Sequence, residues 1–260
     1  MIMGLGLGLM IGQPAASGGG ASYSAEATAL FARFSTDPGS TRKTAIDTCI
    51  TSLKSAGVWA KLDALWVFAA HDAQASLLNW VSSSHAMAAT GSPTFTTDRG
   101  YTSDGSNYLA TADTMSSYSL FTQNSAHFSI WESSTSPSSS NQAINIGAGN
   151  NIYPRYVDDG CYVRVNDSPE SSAIATVVTP NGFTLGNRSS STARQAYRGG
   201  VTLGTYPSTG SAAPENTNLT VFNQAGTHRA SVVSIGGSLD STEQLALYNA
   251  LNTLKTAIGW

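Results

Sequence analysis

From about Thr90 onward the chain is a succession of short β-prone runs: "HFSIWES", "QAINIGA", "GCYVRVND", "AIATVVT", "GFTLGNR", "RQAYRGGVTLGTY", "NLTVFNQ" and "RASVVSIGG", each bounded by Gly, Pro, Asn or Ser. Those boundary residues stop a strand after a few positions and supply the chemistry of tight turns. Strands this short and this numerous bury their apolar sides only by stacking one sheet on another. The predicted fold is therefore mainly β, an antiparallel two-sheet jelly-roll sandwich, with helices before it and one helix after it.

The helical parts have their own punctuation. In "SAEATALFARF" Ser24 is placed to cap a helix carrying Leu30, Phe31 and Phe34, and "TDPGS" ends it. "STRKTAIDTCITSLKSAG" spaces Ile46, Ile50 and Leu53 along one face and closes at Gly57. "VWAKLDALWVFAA" carries another apolar stripe of Leu62, Leu65, Trp66 and Ala69, which makes two or three short amphipathic helices in all, this segment being the third. Near the end Asp240 and Glu243 have capping-box spacing, ahead of a stripe of Leu247, Leu251, Leu254 and Ile258. The chain thus divides into an arm and linker (1–23), a short helical region (24–89) and the jelly roll with its terminal helix (90–260).

The arm holds "MGLGLGLMIG", glycine alternating with leucine and no charge. A signal peptide needs a positive start, and the first Lys or Arg is Arg33. A membrane-spanning helix needs roughly 20 apolar residues, and this run stops at Gln13-Pro14. A period of two instead places Leu5, Leu7 and Leu9 on one face of an extended chain. We expect an anchor strand added to another chain; a disordered tail is the competing reading.

Charged residues make up 11% of the chain and the net charge is -3, so no basic field exists to hold a nucleic-acid backbone. Two cysteines, Cys49 and Cys161, give neither a disulfide framework nor a metal-ligand spacing, and two free, partly buried thiols are expected.

Several motifs together resemble a known family. "FTTDRGYTSDGSNYLATAD" resembles the entry strands of concanavalin A-like (laminin-G-like) jelly rolls, "RQAYRGGVTLGT" one of their hairpins, and "ASVVSIGGSLDSTEQLALYNALNTL" their last core strand and terminal helix. The block "RKTAIDTCITSLKSAGVWAKLDALWVFAAHDAQASLLNWV", with the Gly-Leu arm, is similar to jelly-roll proteins of tailed bacteriophages and prophages. The resemblance implies a virion structural protein: a fibre, spike or capsid decoration subunit made in the bacterial cytoplasm and displayed on the virion surface. Its implied partners are other virion proteins (capsid, portal or tail), further copies of itself and a host surface polysaccharide, with no cofactor, nucleic acid or membrane span. A free carbohydrate-binding lectin is the alternative.

A glycoside hydrolase is the poorest reading. Retaining enzymes need two carboxyl groups about 5 Å apart, and the glutamates Glu26, Glu132, Glu170, Glu215 and Glu243 are scattered singly. His71-Asp72 lacks a nucleophile motif and reads as a polar helix end. For sugar recognition, aromatic faces beside planar polar groups are needed. "NNIYPRY" supplies Asn150, Asn151, Tyr153, Arg155 and Tyr156, and "RSSSTARQAYR" supplies Arg188, Arg194 and Tyr197. Asp158 and Asp159 are weak calcium candidates, better explained by a turn at "DDG". Trp59, Trp66 and Trp80 are expected to pack between helices and sandwich; the side on which Trp131 is buried stays open. No enzymatic activity is expected.

Overall fold

The computed structural model describes residues 22–103, 105–134, 143–167, 173–205, 210–222 and 228–260. Leu5, Leu7 and Leu9 lie outside the described residues. In chain order the elements are α1 (Ala25–Phe31), α2 (Ser40–Ser55), β1 (Leu62–Val67), α3 (Ala73–Ser76), β2 (Met87–Thr90), β3 (Thr94–Thr96), β4 (Gly100–Ser103), β5 (Tyr108–Thr114) and β6 (Ala126–Glu132). There follow β7 (Ile144–Asn145), β8 (Asn151–Tyr153), β9 (Gly160–Arg164), β10 (Ala175–Thr176), β11 (Gly182–Arg188), β12 (Arg194–Arg198), β13 (Val201–Thr205), β14 (Asn218–Val221), β15 (His228–Gly236) and α4 (Ser241–Ile258).

The strands form two antiparallel sheets, as the jelly-roll reading requires. The first runs β13-β12-β11-β6-β15-β4-β3, with β1 also paired to β15; the second runs β10-β9-β8-β7-β14-β5-β2. Side-chain alternation sorts the first sheet into two cores. Phe128 and Ile130 of β6 and Val233 and Ile235 of β15 face the second sheet, where they meet Ile144, Ile152, Cys161, Val163 and Leu219. On the opposite side Trp131, Phe183, Leu185, Tyr197 and Val232 meet the helices through Ile46, Ile50, Leu53, Leu247, Leu251 and Leu254. The sheets approach closely at Gly186, where a Cβ would lie 2.4 Å from Val163 Cγ1 and 2.7 Å from Val165 Cγ2.

The helix signals hold. Ser24 caps α1 by accepting from the Ala27 N–H. Asp240 accepts from the N–H groups of Thr242 and Glu243, both at 2.8 Å, while the Glu243 carboxylate accepts from the Asp240 N–H, completing the capping box. Gly259 ends α4 at φ 75°, a left-handed conformation that suits glycine. Packed along α2, α4 buries Leu247, Leu251 and Leu254. Among the described residues no helix is long and apolar enough to cross a membrane.

The third expected helix is a strand. Residues 62–67 form β1, buried at every position and paired with β15. Leu62, Leu65 and Val67 enter the helix-side core, and Ala64 and Trp66 enter the core between the sheets. A strand buried on both faces shows no polar alternation, so its apolar run matched a helical stripe. Trp66 accordingly sits between the sheets, donating from Nε1 to the His85 carbonyl at 2.8 Å. Trp80, and Trp59 at the edge, do pack on the helix side. Trp131 also faces the helices, stacked on Tyr248 with centroids 5.7 Å apart and planes 13° apart. Cys49 and Cys161 are free and fully buried in different cores, and burial pushes both thiols up to about 12.

Candidate functional site

The helices cover the outer side of the first sheet, and the strands of the second alternate buried with less buried positions. On β9, Cys161 and Val163 point into the core, as does Val165 just beyond it, which turns Tyr162 and Arg164 outward. The register sets Tyr153 of β8 opposite Tyr162 and Asn151 opposite Arg164.

The connection between β8 and β9 brings in a third ring. Tyr156 donates its N–H to the Gly160 carbonyl at 2.8 Å, and Asp159 donates its N–H back to the Tyr156 carbonyl at 3.0 Å. Asp159 has φ +62°, a left-handed turn position that aspartate tolerates better than most residues. Asp158 accepts from the Gly160 N–H at 2.9 Å and from the Tyr162 hydroxyl at 2.5 Å. At Gly160 a Cβ would come within 2.8 Å of both Asp158 Oδ1 and Tyr162 Cε2, so a side chain there would push these groups apart.

Tyr153, Tyr156 and Tyr162 meet edge to face, with centroids 5.4, 6.3 and 5.7 Å apart. With Arg164 they line a recess of about 190 Å³. Hydrogen bonding to Asp158 raises the pKa of the Tyr162 hydroxyl, and the same bond lowers that of the Asp158 carboxyl. At neutral pH a neutral phenol therefore donates to a carboxylate. Burial raises the pKa of the Tyr153 hydroxyl. The recess thus combines ring faces and edges with hydroxyls and a guanidinium, which suits it to apolar ring surfaces flanked by polar groups.

Of the eight residues named for sugar recognition, Tyr153, Arg155 and Tyr156 come together at the recess. Tyr153 and Tyr156 line the recess, and Arg155 lies between them in the turn, ion-paired with Asp159. Arg194 and Tyr197 belong elsewhere, which corrects the expectation for both. Their strand β12 is paired on both edges, by β11 and β13, and places Ala196 in the core between the sheets and Tyr197 in the helix-side core. Arg194 is 6% exposed and pairs with the fully buried Asp167, which Arg188 also approaches at 3.3 Å. Tyr197 is 2% exposed beneath the helices and donates to Gln195 Oε1 at 2.6 Å. Asn150 is also buried, its Oδ1 accepting from the Asn166 N–H at 2.6 Å.

Tyr162 and Arg164 were missed, although "CYVRV" carries the signal: polar residues alternate there with Cys161, Val163 and Val165. Asp158 and Asp159 are engaged by Tyr162 and Arg155. Among the described residues no group of three or more His, Cys, Asp or Glu is arranged to hold a metal. His71 and Asp72 act as a polar helix end: Asp72 caps α3 through the Ala75 N–H at 2.7 Å, and His71 Nε2 lies 2.9 Å from the Thr36 carbonyl. A buried pair invisible in sequence, Glu132 and His228, joins β6 to β15 at 2.5 Å, and Ser134 donates to the same carboxylate oxygen at 2.7 Å.

Compared by sequence, the chain matches no family model and no curated protein. Compared by structure, it is similar to the binding domain of Paraclostridial Mosquitocidal Protein 1, with TM-score 0.54 and 13% identity over 74% of this chain and 53% of that one. Botulinum neurotoxin type C, in a structure addressing cell entry dependent on two ganglioside molecules, gives TM-score 0.53 and 11% identity over 76% and 53%. Trypanosoma rangeli sialidase, bearing 2,3-difluorosialic acid as a covalent intermediate, gives TM-score 0.50 and 11% identity over 82% and 40%. The chain spans about half the length of the two toxin structures and less of the sialidase. At these identities the likeness establishes the β-sandwich fold alone.

Proposed function

We propose that this protein is a saccharide-binding β-sandwich module, and that the recess lined by Tyr153, Tyr156, Tyr162 and Arg164 is its binding site. The observation that carries this reading is the convergence of three tyrosines and an arginine on a sheet face that, among the described residues, no helix covers. The ganglioside named for one structural neighbour and the sialic-acid derivative bound by another support it. The proposed action is binding without turnover, because the carboxylates beside the recess, Asp158 and Asp159, are already engaged.

As part of the same proposal, the module is displayed on a tailed-bacteriophage particle, in several copies and beside other virion proteins, where it contacts host surface polysaccharide. The order of the sequence motifs supports that placement, and a density map of the intact particle locating this chain tests it. For the site, a glycan array followed by titration calorimetry on the best ligand is decisive. Tyr153→Ala and Tyr156→Ala should each weaken binding by about tenfold, the scale of one lost aromatic contact, with the melting temperature little changed. Unaltered binding in both variants, or release of reducing sugar from any glycan, would overturn the proposal.

A further inference from the structure

Among the described residues the charges around the recess are matched, with one exception. Arg155 is paired with Asp159, and Asp158 is held by the Tyr162 hydroxyl and the Gly160 N–H. Arg164 has no carboxylate within ion-pair distance among the described residues. Among the described residues its one hydrogen bond is from Nη1 to the Ala148 carbonyl at 3.3 Å, and its Nε is buried without an acceptor. The same carbonyl accepts from Asn151 Nδ2 at 3.4 Å, and Asn151 is the residue opposite Arg164 in the register. One backbone oxygen therefore holds the guanidinium beside the tyrosines and leaves most of its donors free.

A guanidinium presents parallel N–H groups that fit a planar carboxylate in bidentate fashion, and such charge-assisted bonds are stronger than those to neutral hydroxyls. Leaving a partly buried cation without a counter-ion costs free energy that an anionic ligand would recover. Resting on the saccharide-binding reading above, we infer that the recess is selective for carboxylated sugars, with the ligand carboxylate on Arg164 and the apolar face of its ring against the tyrosines. The arginine then determines specificity, and the rings supply the contact common to charged and neutral sugars.

The test uses pairs of ligands that differ in the acid group: oligogalacturonate against its methyl ester, a glucuronate-containing disaccharide against its glucose counterpart, and sialyllactose against lactose. Each is titrated into the full chain, Arg164→Gln, Arg164→Lys and Tyr156→Ala, with folding checked by melting temperature. In at least one pair the acidic member should bind tenfold or more tightly, and its affinity should fall as sodium chloride is raised. Arg164→Gln should bring it down to the level of its neutral partner; Arg164→Lys should keep part of the preference. Equal binding of acid and neutral members, or a preference that survives Arg164→Gln, overturns the inference while Tyr156→Ala still reports on the site. Absence of binding in every pair, or binding indifferent to Tyr156→Ala, overturns the underlying reading as well.

Discussion

The two sheets are built from similar strands but meet different surroundings on their outer sides. The first lies beneath α2 and α4, and its central strands are buried throughout: all seven residues of β6, and eight of nine in β15. Among the described residues the second has no such cover, and β9 and β14 keep the alternation of a strand with one open side. Adding helices to one side turns that face into a second core, built on Trp131, Phe183, Leu185, Tyr197 and Val232. The other face stays available for polar and aromatic groups with no packing duty. It holds the tyrosine recess, whereas Tyr197 is absorbed beneath the helices and Arg194, on the side of β12 that faces the second sheet, is buried with Asp167.

The sharpest way to break this contrast is to damage the covered side. Leu251 is fully buried between α4 and the first sheet, and Leu251→Ala should cost about 2 to 5 kcal/mol of unfolding free energy in urea. A loss within error would mean that α4 does not seal that face.

Acid should act on the same side. His127 lies on the helix-facing side of β6, with Nδ1 bonded to the Gly237 carbonyl, and burial lowers its pKa from 6.5 to about 4. Between those values the unfolded chain takes up the proton and the folded one does not. The contribution of the neutral imidazole is therefore complete above pH 6.5 and is lost as the pH falls toward 4, by about 3 kcal/mol over the window. Urea titrations across that range should show the decline, and His127→Gln should flatten it. An unchanged slope would place the acid sensitivity in other groups.

The smallest effect belongs to the open side. Tyr156 is 36% exposed, and Tyr156→Ser should shift stability by no more than about 0.5 kcal/mol. A much larger loss would show that the recess is a packed core and not a free surface.

The same contrast explains what could be read in the sequence. Strands of the open sheet carry a period of two, and helix caps use residues with one local job, so the jelly roll, α1, α2 and α4 were all legible. Strand β1 was not, because "LDALWV" is enclosed on both sides and carries no alternation. Its one interruption, Asp63, is a structural group: its carboxylate accepts the N–H groups of Ser119, Leu120 and Phe121, at 3.0, 3.0 and 2.8 Å. In the recess, Tyr153 and Tyr156 were legible as aromatics at a strand end. Adding Tyr162 and Arg164 required the β8–β9 register, excluding Tyr197 required knowing which sheet is covered, and excluding Arg194 required its buried pairing with Asp167.

Strand β15 pairs with β6 along one edge and with β1 and β4 along the other. Its residues follow their partners on β6 by about a hundred positions, 105 in the case of Ser129 and Ser234. During synthesis β1, β4 and β6 leave the ribosome long before the strand that joins them. Until then their facing edges are open to any extended segment in reach, and the entropy of closing so long a loop is met only when the last strand arrives. Closure of the first sheet thus has to wait until β15 has been synthesised. A stalled or prematurely ended chain would present unsatisfied strand edges to the cell in place of a partly finished sandwich.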